Sequence, residues 1–342
     1  MAHEILDKSH EPEGYLEKRV ANQAFCTNKA LQHGNKLRAN ATTCFIRAAT
    51  LNRLRRLVKP TNYTLEIGCG NATSLLGPLA RDCHAYGVDL SLDMLLAAKH
   101  HTGVNGFARS DACCLPFGDA SFDVVYTSRC LINVPDQGMQ HLAIREAFRV
   151  AKPDATVVFV ENFEEPVRRM NLTKKRLHAG ALEIDEHILL LNLEKTLECS
   201  EELGWAPLWI RGNTLGSFVA HVIIGGITRQ RGIGMAERLL DPLDVALTWI
   251  EDRFGKQLPL FGKDTMVVLK KQKSYPLFLG AKAPAPRPRS IRRKCMPRDS
   301  LLTLRFSHPS GSPGRPAVCF HCRQGGSREA PGEFLTRIVL IY

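Results

Sequence analysis

The chain lacks the features that would place it in a membrane or in a disulfide-linked framework. No run of apolar residues reaches the roughly 18 positions that a membrane-spanning helix needs. The N-terminal stretch of residues 1–4 does not have the composition of a signal peptide. The eleven cysteines are scattered, and several fall in or beside predicted buried strands. We therefore expect reduced thiols, no membrane partner and a cytoplasmic location.

A basic stripe of the kind that binds nucleic acid is also missing from most of the chain. The net charge is +12, but residues 274–342 hold 12 Lys/Arg against 3 Asp/Glu and so carry +9. The remaining 273 residues hold 34 basic and 31 acidic groups, a net charge of only +3. A nearly neutral body argues against nucleic acid as the substrate.

The C-terminal segment has few signals for ordered structure and none sufficient for a metal site. Nine of the 19 prolines fall in residues 274–342, without helical or strand periodicity, which predicts a disordered tail. Residues 319–322 contain one C-x-x-C, but a zinc site needs a second ligand pair at a matching spacing, so we expect no metal. A basic partner-binding tail and a non-native extension of the reading frame explain this composition equally well.

What the chain does contain is a glycine-rich turn that follows a predicted strand. Tyr63, Leu65 and Ile67 supply the strand, and Gly68 and Gly70 allow a tight turn and close backbone approach to a ligand. A helix through residues 75–79, capped by residue 71 or 73, is expected to follow. Such a turn would place free N–H groups at the mouth of a parallel sheet, where nucleotide-like ligands bind.

Acidic residues end the next two predicted strands. Residues 85–89 form a strand that ends in Asp89, nineteen positions after Gly70, which is where a carboxylate binds ribose hydroxyls in a nucleotide-binding βαβ unit. Asp111 closes a weaker third strand at residues 106–110. The alternation of strands and helices implies a parallel sheet with right-handed crossovers.

Five segments in order along the chain carry a resemblance to a known family. They are LEIGCG at 65–70, GVDLS at 87–91, SDA at 110–112, LPFGDASFDVV at 115–125 and RVAKPD at 149–154. Together they resemble the motifs of the class I S-adenosylmethionine-dependent methyltransferases. The resemblance implies S-adenosyl-L-methionine as cofactor and an α/β, Rossmann-like, seven-stranded and mostly parallel sheet flanked by helices.

The resemblance also assigns cofactor-binding residues. They are Glu66, Gly68, Gly70, Asp89, Leu90, Asp111, Ala112 and Ser128. Glu66 would orient the ammonium of the methionine part, and the two oxygens of Asp89 would accept from both ribose hydroxyls. Asp111 and the Ala112 N–H would read the adenine. For each acid the alternative is a helix cap or a turn former.

The acceptor is expected beyond the fourth predicted strand, residues 121–127. The candidates on the acceptor side are Arg129, Cys130, Asn133, Glu161 and Asn162. Nucleic-acid amino methyltransferases carry an Asn/Asp-Pro-Pro-aromatic motif at this place, whereas this chain has Thr-Ser-Arg-Cys. We therefore predict a small-molecule acceptor. No catalytic base is assigned, because Asn133 stands where many relatives carry histidine.

The expected organisation has three parts. Residues 1–60 would form an N-terminal helical cover, and residues 61–273 the methyltransferase domain, with lid insertions at about 166–200 and 213–260. Residues 274–342 would form the basic, Pro-rich tail. The sequence leaves the oligomeric state open.

Two other functions fit part of the pattern. A nicotinamide-dependent oxidoreductase would also use the glycine turn and Asp89, but its third glycine should stand at position 73, where this chain has Thr73. It also leaves Glu66 and Asp111 without a role. The second alternative is a non-catalytic methyltransferase-like binding or scaffold module, which the absence of an assigned base favours and the complete set of cofactor residues disfavours.

Overall fold

A computed structural model of the chain shows one sheet with helices packed on both faces. The strands are rich in β-branched and aromatic residues, and the helices between them present apolar faces to the sheet. The structure describes residues 41–100, 103–178, 181–182, 184–212 and 260–272, and the single positions 17, 18, 21, 24, 28, 215, 218, 219, 247, 250, 251, 253, 340 and 341.

The elements alternate along the chain as the sequence predicts. The first half contains α1 (Ala41–Arg55), β1 (Tyr63–Ile67), α2 (Leu76–Leu79), β2 (His84–Asp89), α3 (Leu92–Ala98), β3 (Val104–Arg109) and β4 (Phe122–Ser128). After a 3-10 turn at Leu131–Asn133 come α4 (Gln137–Val150), β5 (Ala151–Glu161), α5 (Glu164–Arg176), α6 (Leu193–Glu202), β6 (Trp205–Arg211), β7 (Thr265–Lys271) and β8 (Leu340–Ile341).

The strand order is β6-β7-β5-β4-β1-β2-β3-β8. Strands β1 to β5 pair in parallel, whereas β7 is antiparallel to both β5 and β6. The predicted seven-stranded, mostly parallel sheet is therefore confirmed. The two-residue β8 adds an antiparallel pairing to β3 that the sequence did not predict. It comes from the segment 274–342, whose other residues lie outside the described part of the chain.

The core is divided between the two faces of the sheet. In β5, Val157 and Phe159 belong to the apolar cluster on one face, and Val158 and Val160 to the cluster on the other. All four side chains are buried, as expected for a central strand covered on both sides. Helix α4 covers the first face with a buried stripe and is capped by Asp136, whose side chain accepts from the Met139 N–H at 2.9 Å.

The helix predicted after the glycine turn is shorter than expected. It is the four-residue α2, and neither residue 71 nor residue 73 caps it. Instead the Asn71 side chain accepts from the Thr73 hydroxyl at 2.8 Å. Gly77 and Pro78 within α2 explain its brevity, because both are poor helix formers. No long helix therefore begins at the turn, and its macrodipole contributes little there.

The described residues cover only part of the predicted N-terminal cover and of the two predicted insertions. Helix α1 is the continuous described element in residues 1–60, and α5 and α6 lie in the predicted insertion at 166–200. Most of the predicted insertion at 213–260 lies outside the described residues. Within the described ranges, no helix is both long enough and apolar enough to cross a bilayer.

Candidate functional site

The strand order reverses between β1 and β4, which places a topological switch point, called the crevice below, at the carboxyl ends of the central strands. The chain runs outward from β1 to β3 and then returns to place β4 on the other side of β1. In open α/β sheets, ligands bind at this kind of switch point. The loops that follow β1, β2, β3, β4 and β5 carry all the predicted site residues except Glu66, Asp89, Ser128 and Glu161, which lie within the strands.

The backbone of the glycine turn is fastened to β2. The N–H groups of Gly68 and Cys69 both donate to the Val88 carbonyl, at 2.8 and 3.0 Å. The Gly70 N–H donates to Asp89 Oδ2 at 2.7 Å. The expectation of free N–H groups is therefore wrong for these three residues, because the neighbouring strand already accepts from them.

The two glycines of the turn have different surroundings. Both have positive φ, +74° at Gly68 and +54° at Gly70. A Cβ at Gly68 would lie 2.4 Å from the sulfur of Cys130, whereas a Cβ at Gly70 would meet nothing within 4 Å. The absence of a Cβ at Gly68 therefore lets the loop after β4 approach the turn closely, and the open space lies beside Gly70.

Asp89 is the link between the turn and β2. Its Oδ1 accepts from the Ser91 N–H at 2.9 Å, so each carboxylate oxygen holds one backbone N–H. Burial raises the pKa of Asp89, and these backbone hydrogen bonds oppose the shift. Each oxygen has a second lone pair, so the half-buried carboxylate can accept from a diol as well. Leu90 lies beside it, half-buried.

Asp111 and Ala112 extend this edge along the next strand. The Ser110 N–H donates to the Asp89 carbonyl at 3.0 Å, which places Asp111 just past the end of β3 beside Asp89. Asp111 Oδ1 accepts from the Cys113 N–H at 3.0 Å, as in the turn-former alternative. Asp111 and Ala112 are both half-buried. The two acids therefore lie at adjacent strand ends, as the sequence predicted.

Glu66 lies within β1 and is buried. The hydroxyl of Tyr126 on β4 donates to Glu66 Oε2 at 3.0 Å. Burial raises the pKa of Tyr126 far above its usual range, and the charge of Glu66 adds to the shift. Sequence reasoning missed Tyr126 as a partner, because the two residues are 60 positions apart.

Glu161, at the end of β5, holds the loop that follows β4. Its Oε1 accepts from the Cys130 and Leu131 N–H groups at 3.0 and 3.2 Å, whereas Oε2 has no hydrogen-bond partner of normal geometry among the described residues. The side chain is fully buried. Burial raises its pKa to about 7, and the nearby Thr127 hydroxyl and the loop N–H groups oppose the shift. Glu161 thus lies beneath the loop.

The other acceptor-side candidates converge around Arg129. Arg129 has φ +51°, and its carbonyl accepts from Asn133 Nδ2 at 2.7 Å. Asn162 Oδ1 accepts from the Asp264 N–H at 3.0 Å, and Asp264 Oδ1 lies 4.0 Å from Arg129 Nε. Cys130 is half-buried, and Ser128, at the end of β4, pairs with Val160 of β5.

Sequence reasoning missed the segment just before β7. Lys263 and Asp264 reach the site because an antiparallel strand begins at the edge where its parallel neighbours end. The available signal was their position directly before the apolar run of residues 266–269. The sequence does not show with which strand that run pairs.

One groove lies apart from these residues. It has a volume of about 820 Å³ and runs along α5. Its lining includes Val167, Leu172, Ile184 and Leu190, and none of the predicted site residues. In the described part of the chain, no group of three or more His, Cys, Asp or Glu side chains is placed to hold a metal ion.

The residues of the crevice suit the cofactor that the resemblance implies. Carboxylates at adjacent strand ends, Asp89 and Asp111, match a ligand that offers hydroxyl and amino donors. Gly70 leaves open space beside them. The amide Nδ2 of Asn71, buried in the same turn, has no partner in the described structure and can donate to a ligand.

Comparison with known proteins agrees with this arrangement. Residues 65–159 match the family described as a methyltransferase domain. A demethylmenaquinone methyltransferase from Streptomyces griseus is 34% identical over 108 residues, which cover 32% of this chain and 45% of that protein. A demethylmenaquinone methyltransferase from Mycobacterium marinum is 32% identical over 173 residues, which cover 51% of this chain and 68% of that protein.

Solved structures are similar as well. The YcgJ protein from Bacillus subtilis shares 18% identity with a TM-score of 0.42, and the match covers 66% of this chain and 100% of that one. The chain spans about half the length of the first curated relatives that it matches, 45% and 40% of the first two.

Proposed function

Because the chain belongs to the class I S-adenosylmethionine-dependent methyltransferases, we propose that it transfers a methyl group from S-adenosyl-L-methionine to a small-molecule acceptor. The observation that carries this proposal is the pairing of Asp89 and Asp111 at adjacent strand ends beside the open face of Gly70. When bound, the cofactor supplies a methyl group on a sulfonium, which is a good leaving group. The protein's task is then to position the partners and exclude water.

The cofactor-side residues would bind and orient. Asp89 would accept from the ribose hydroxyls with the lone pairs that the turn leaves available, while Asp111 and the Ala112 N–H would bind the adenine. Leu90 would pack against that ring. Glu66 is held by Tyr126, so we propose that it acts on the methionine end from beneath the turn.

Several observations support a small-molecule acceptor. The charge of residues 1–273 is nearly balanced, which offers little to a polyanion. The residues after β4 differ from the motif of nucleic-acid amino methyltransferases. The two relatives reported above are named for demethylmenaquinone, which is a small organic molecule.

The test of cofactor binding is Asp89→Ala, measured by calorimetry with S-adenosylhomocysteine. Loss of two charged hydrogen bonds corresponds to about 3 kcal/mol, so affinity should fall more than a hundredfold. Asp89→Ala also removes the acceptors of the Gly70 and Ser91 N–H groups, which could disturb the turn itself. Asp89→Asn is therefore measured as a second, milder variant. That variant keeps one acceptor oxygen and should show a smaller loss.

Asp82→Ala is the matched control, because Asp82 pairs with Arg55 on the surface, away from the crevice. It should bind like the wild type. Unchanged affinity in a folded Asp89→Ala protein would contradict the ribose assignment. Mass spectrometry of ligand carried through purification is a second readout, and a nicotinamide dinucleotide found there would contradict the proposed methyl transfer.

A further inference from the structure

The loop after β4 and the segment before β7 bring two basic residues to neighbouring positions, because Asp264 Oδ1, in the residue that follows Lys263, lies 4.0 Å from Arg129 Nε. Arg129 is 36% exposed, and its ion pairing among the described residues is limited to the 4.0 Å approach of Asp264 to Nε. Lys263 is half-buried and makes no ion pair within the described structure. The outer nitrogens of the Arg129 guanidinium are therefore available to a ligand.

The backbone fixes both residues. Arg129 is held in a left-handed conformation by its N–H, which donates to the Val160 carbonyl at 2.9 Å, and by the Asn133 amide on its own carbonyl. Lys263 lies between two anchored neighbours. The Gly262 N–H donates to the Pro166 carbonyl at 3.0 Å, and the Asp264 N–H donates to Asn162. Left-handed residues that carry a side chain concentrate at functional sites.

Two carboxylates act on Lys263, and they differ in burial. Asp264 is buried and offsets one cation, whereas Asp185 is exposed and its charge is screened by solvent. Burial lowers the pKa of Lys263 and repulsion by Arg129 adds to the effect, although Asp264 and Asp185 act in the opposite direction. An anion placed between the two side chains would relieve that repulsion.

We propose that the acceptor carries a carboxylate, which Arg129 and Lys263 bind together. The inference rests on the proposed function and names the acceptor's class. A carboxylate adds one negative charge beside the two cations and the buried Asp264, whereas a phosphate monoester adds nearly two. The planar guanidinium can bind a carboxylate through two parallel hydrogen bonds, with Lys263 as a point charge beside it. The methionine part of the cofactor also carries a carboxylate. The experiment therefore has to distinguish the carboxylate of the acceptor from that of the cofactor.

The test measures the binding of acetate, glutarate and benzoate, each against its neutral amide, to the full chain saturated with S-adenosylhomocysteine. At least one carboxylate should bind tenfold more tightly than its amide. Arg129→Gln should remove that preference, and Lys263→Gln should weaken it, while both variants bind S-adenosylhomocysteine within threefold of the wild type. Arg145→Gln, which alters a surface ion pair with Glu202, should change neither property.

Three results would overturn the inference. The first is a wild-type protein that binds S-adenosylhomocysteine yet prefers no carboxylate to its amide. The second is a tenfold loss of S-adenosylhomocysteine affinity in Arg129→Gln, which would assign the arginine to the cofactor's own carboxylate. The third is tighter binding of phenyl phosphate than of benzoate. A wild type that does not bind S-adenosylhomocysteine would contradict the proposed function itself. The wild-type titrations decide the inference even if a variant does not fold.

Discussion

The two sides of the crevice meet the same backbone requirement with different residues. On the side of β1 and β2, the positive-φ positions are Gly68, Gly70 and, two residues further on, Ala72. On the side of β4 and β7, they are Arg129, Gly262 and Asp264, so that side chains occupy two of the three. A left-handed conformation costs a residue with a Cβ about 1–2 kcal/mol, and glycine avoids that cost.

The difference indicates what each side has to present. At Gly68 the neighbouring loop comes so close that no Cβ fits, and at Gly70 the space beside the backbone stays open. At Arg129 and Asp264 the side chain itself is what reaches the crevice, and hydrogen bonds on both sides hold the strained backbone. The side of β1 and β2 thus offers close approach to the backbone, whereas the side of β4 and β7 offers charged side chains.

The strongest test of this comparison is Gly68→Ala. The new Cβ would lie 2.4 Å from Cys130 Sγ and 2.5 Å from its Cβ, in a residue with φ +74°. Strain and overpacking together should lower the free energy of unfolding by about 4 kcal/mol. Urea unfolding followed by circular dichroism measures the change.

Gly70→Ala is the matched control, because it has the same sign of φ and no atom near its Cβ. It should cost only about 1 kcal/mol. Equal losses in the two variants would mean that the contact with Cys130 is unimportant and that conformation alone selects glycine in this turn.

A second test concerns the charge of Glu161 beneath the acceptor-side loop. With its pKa raised from 4.5 to about 7, the folded protein holds a proton that the unfolded chain has released. Stability should therefore fall as the pH rises through this window. Between about pH 5 and about pH 8, the wild type should lose about 2.5 kcal/mol more than Glu161→Gln, which has no charge to bury.

Glu161→Gln keeps the oxygen that accepts from the Cys130 and Leu131 N–H groups, so the fold of the loop should persist. Urea unfolding at several pH values gives the two curves. Parallel curves for wild type and variant would show that Glu161 is ionised throughout and that its surroundings solvate the charge.

The smallest expected effect compares Arg129→Gly with Arg129→Ala. Both remove the guanidinium, but only glycine relieves the left-handed strain at φ +51°. The glycine variant should be about 1 kcal/mol more stable than the alanine variant. Thermal unfolding of the two proteins under one condition measures this difference. An alanine variant as stable as the glycine variant would mean that the backbone relaxes and stores no strain there.

The sequence predicted the sheet well because its strands are short, apolar and bounded by turns. The strands predicted at 85–89 and 121–127 lie within one residue of their predicted positions. The caps predicted for the helix after the glycine turn were wrong, because α2 begins only after Leu75, and Gly77 and Pro78 limit it to four residues.

The site was less accessible to sequence reasoning. The ends of parallel strands are local features, so the order of Asp89 and Asp111 could be predicted. The pairing of Glu66 with Tyr126 and the arrival of Lys263 depend on contacts between distant parts of the chain. The left-handed backbone of Arg129 has no local signal either, because such positions usually carry glycine, asparagine or aspartate.

The position of β7 between β5 and β6 has a consequence for how the protein is made. Strand β7 is synthesised after both of its neighbours, and β6 pairs within the described sheet only through it. On the ribosome, one whole side of β5 therefore keeps unpaired backbone groups, next to the apolar residues 157–160, until residues 265–271 emerge. Such an open edge invites aggregation. We therefore expect a chain that ends before residue 265 to aggregate more readily than the full chain, because its β5 edge stays unpaired.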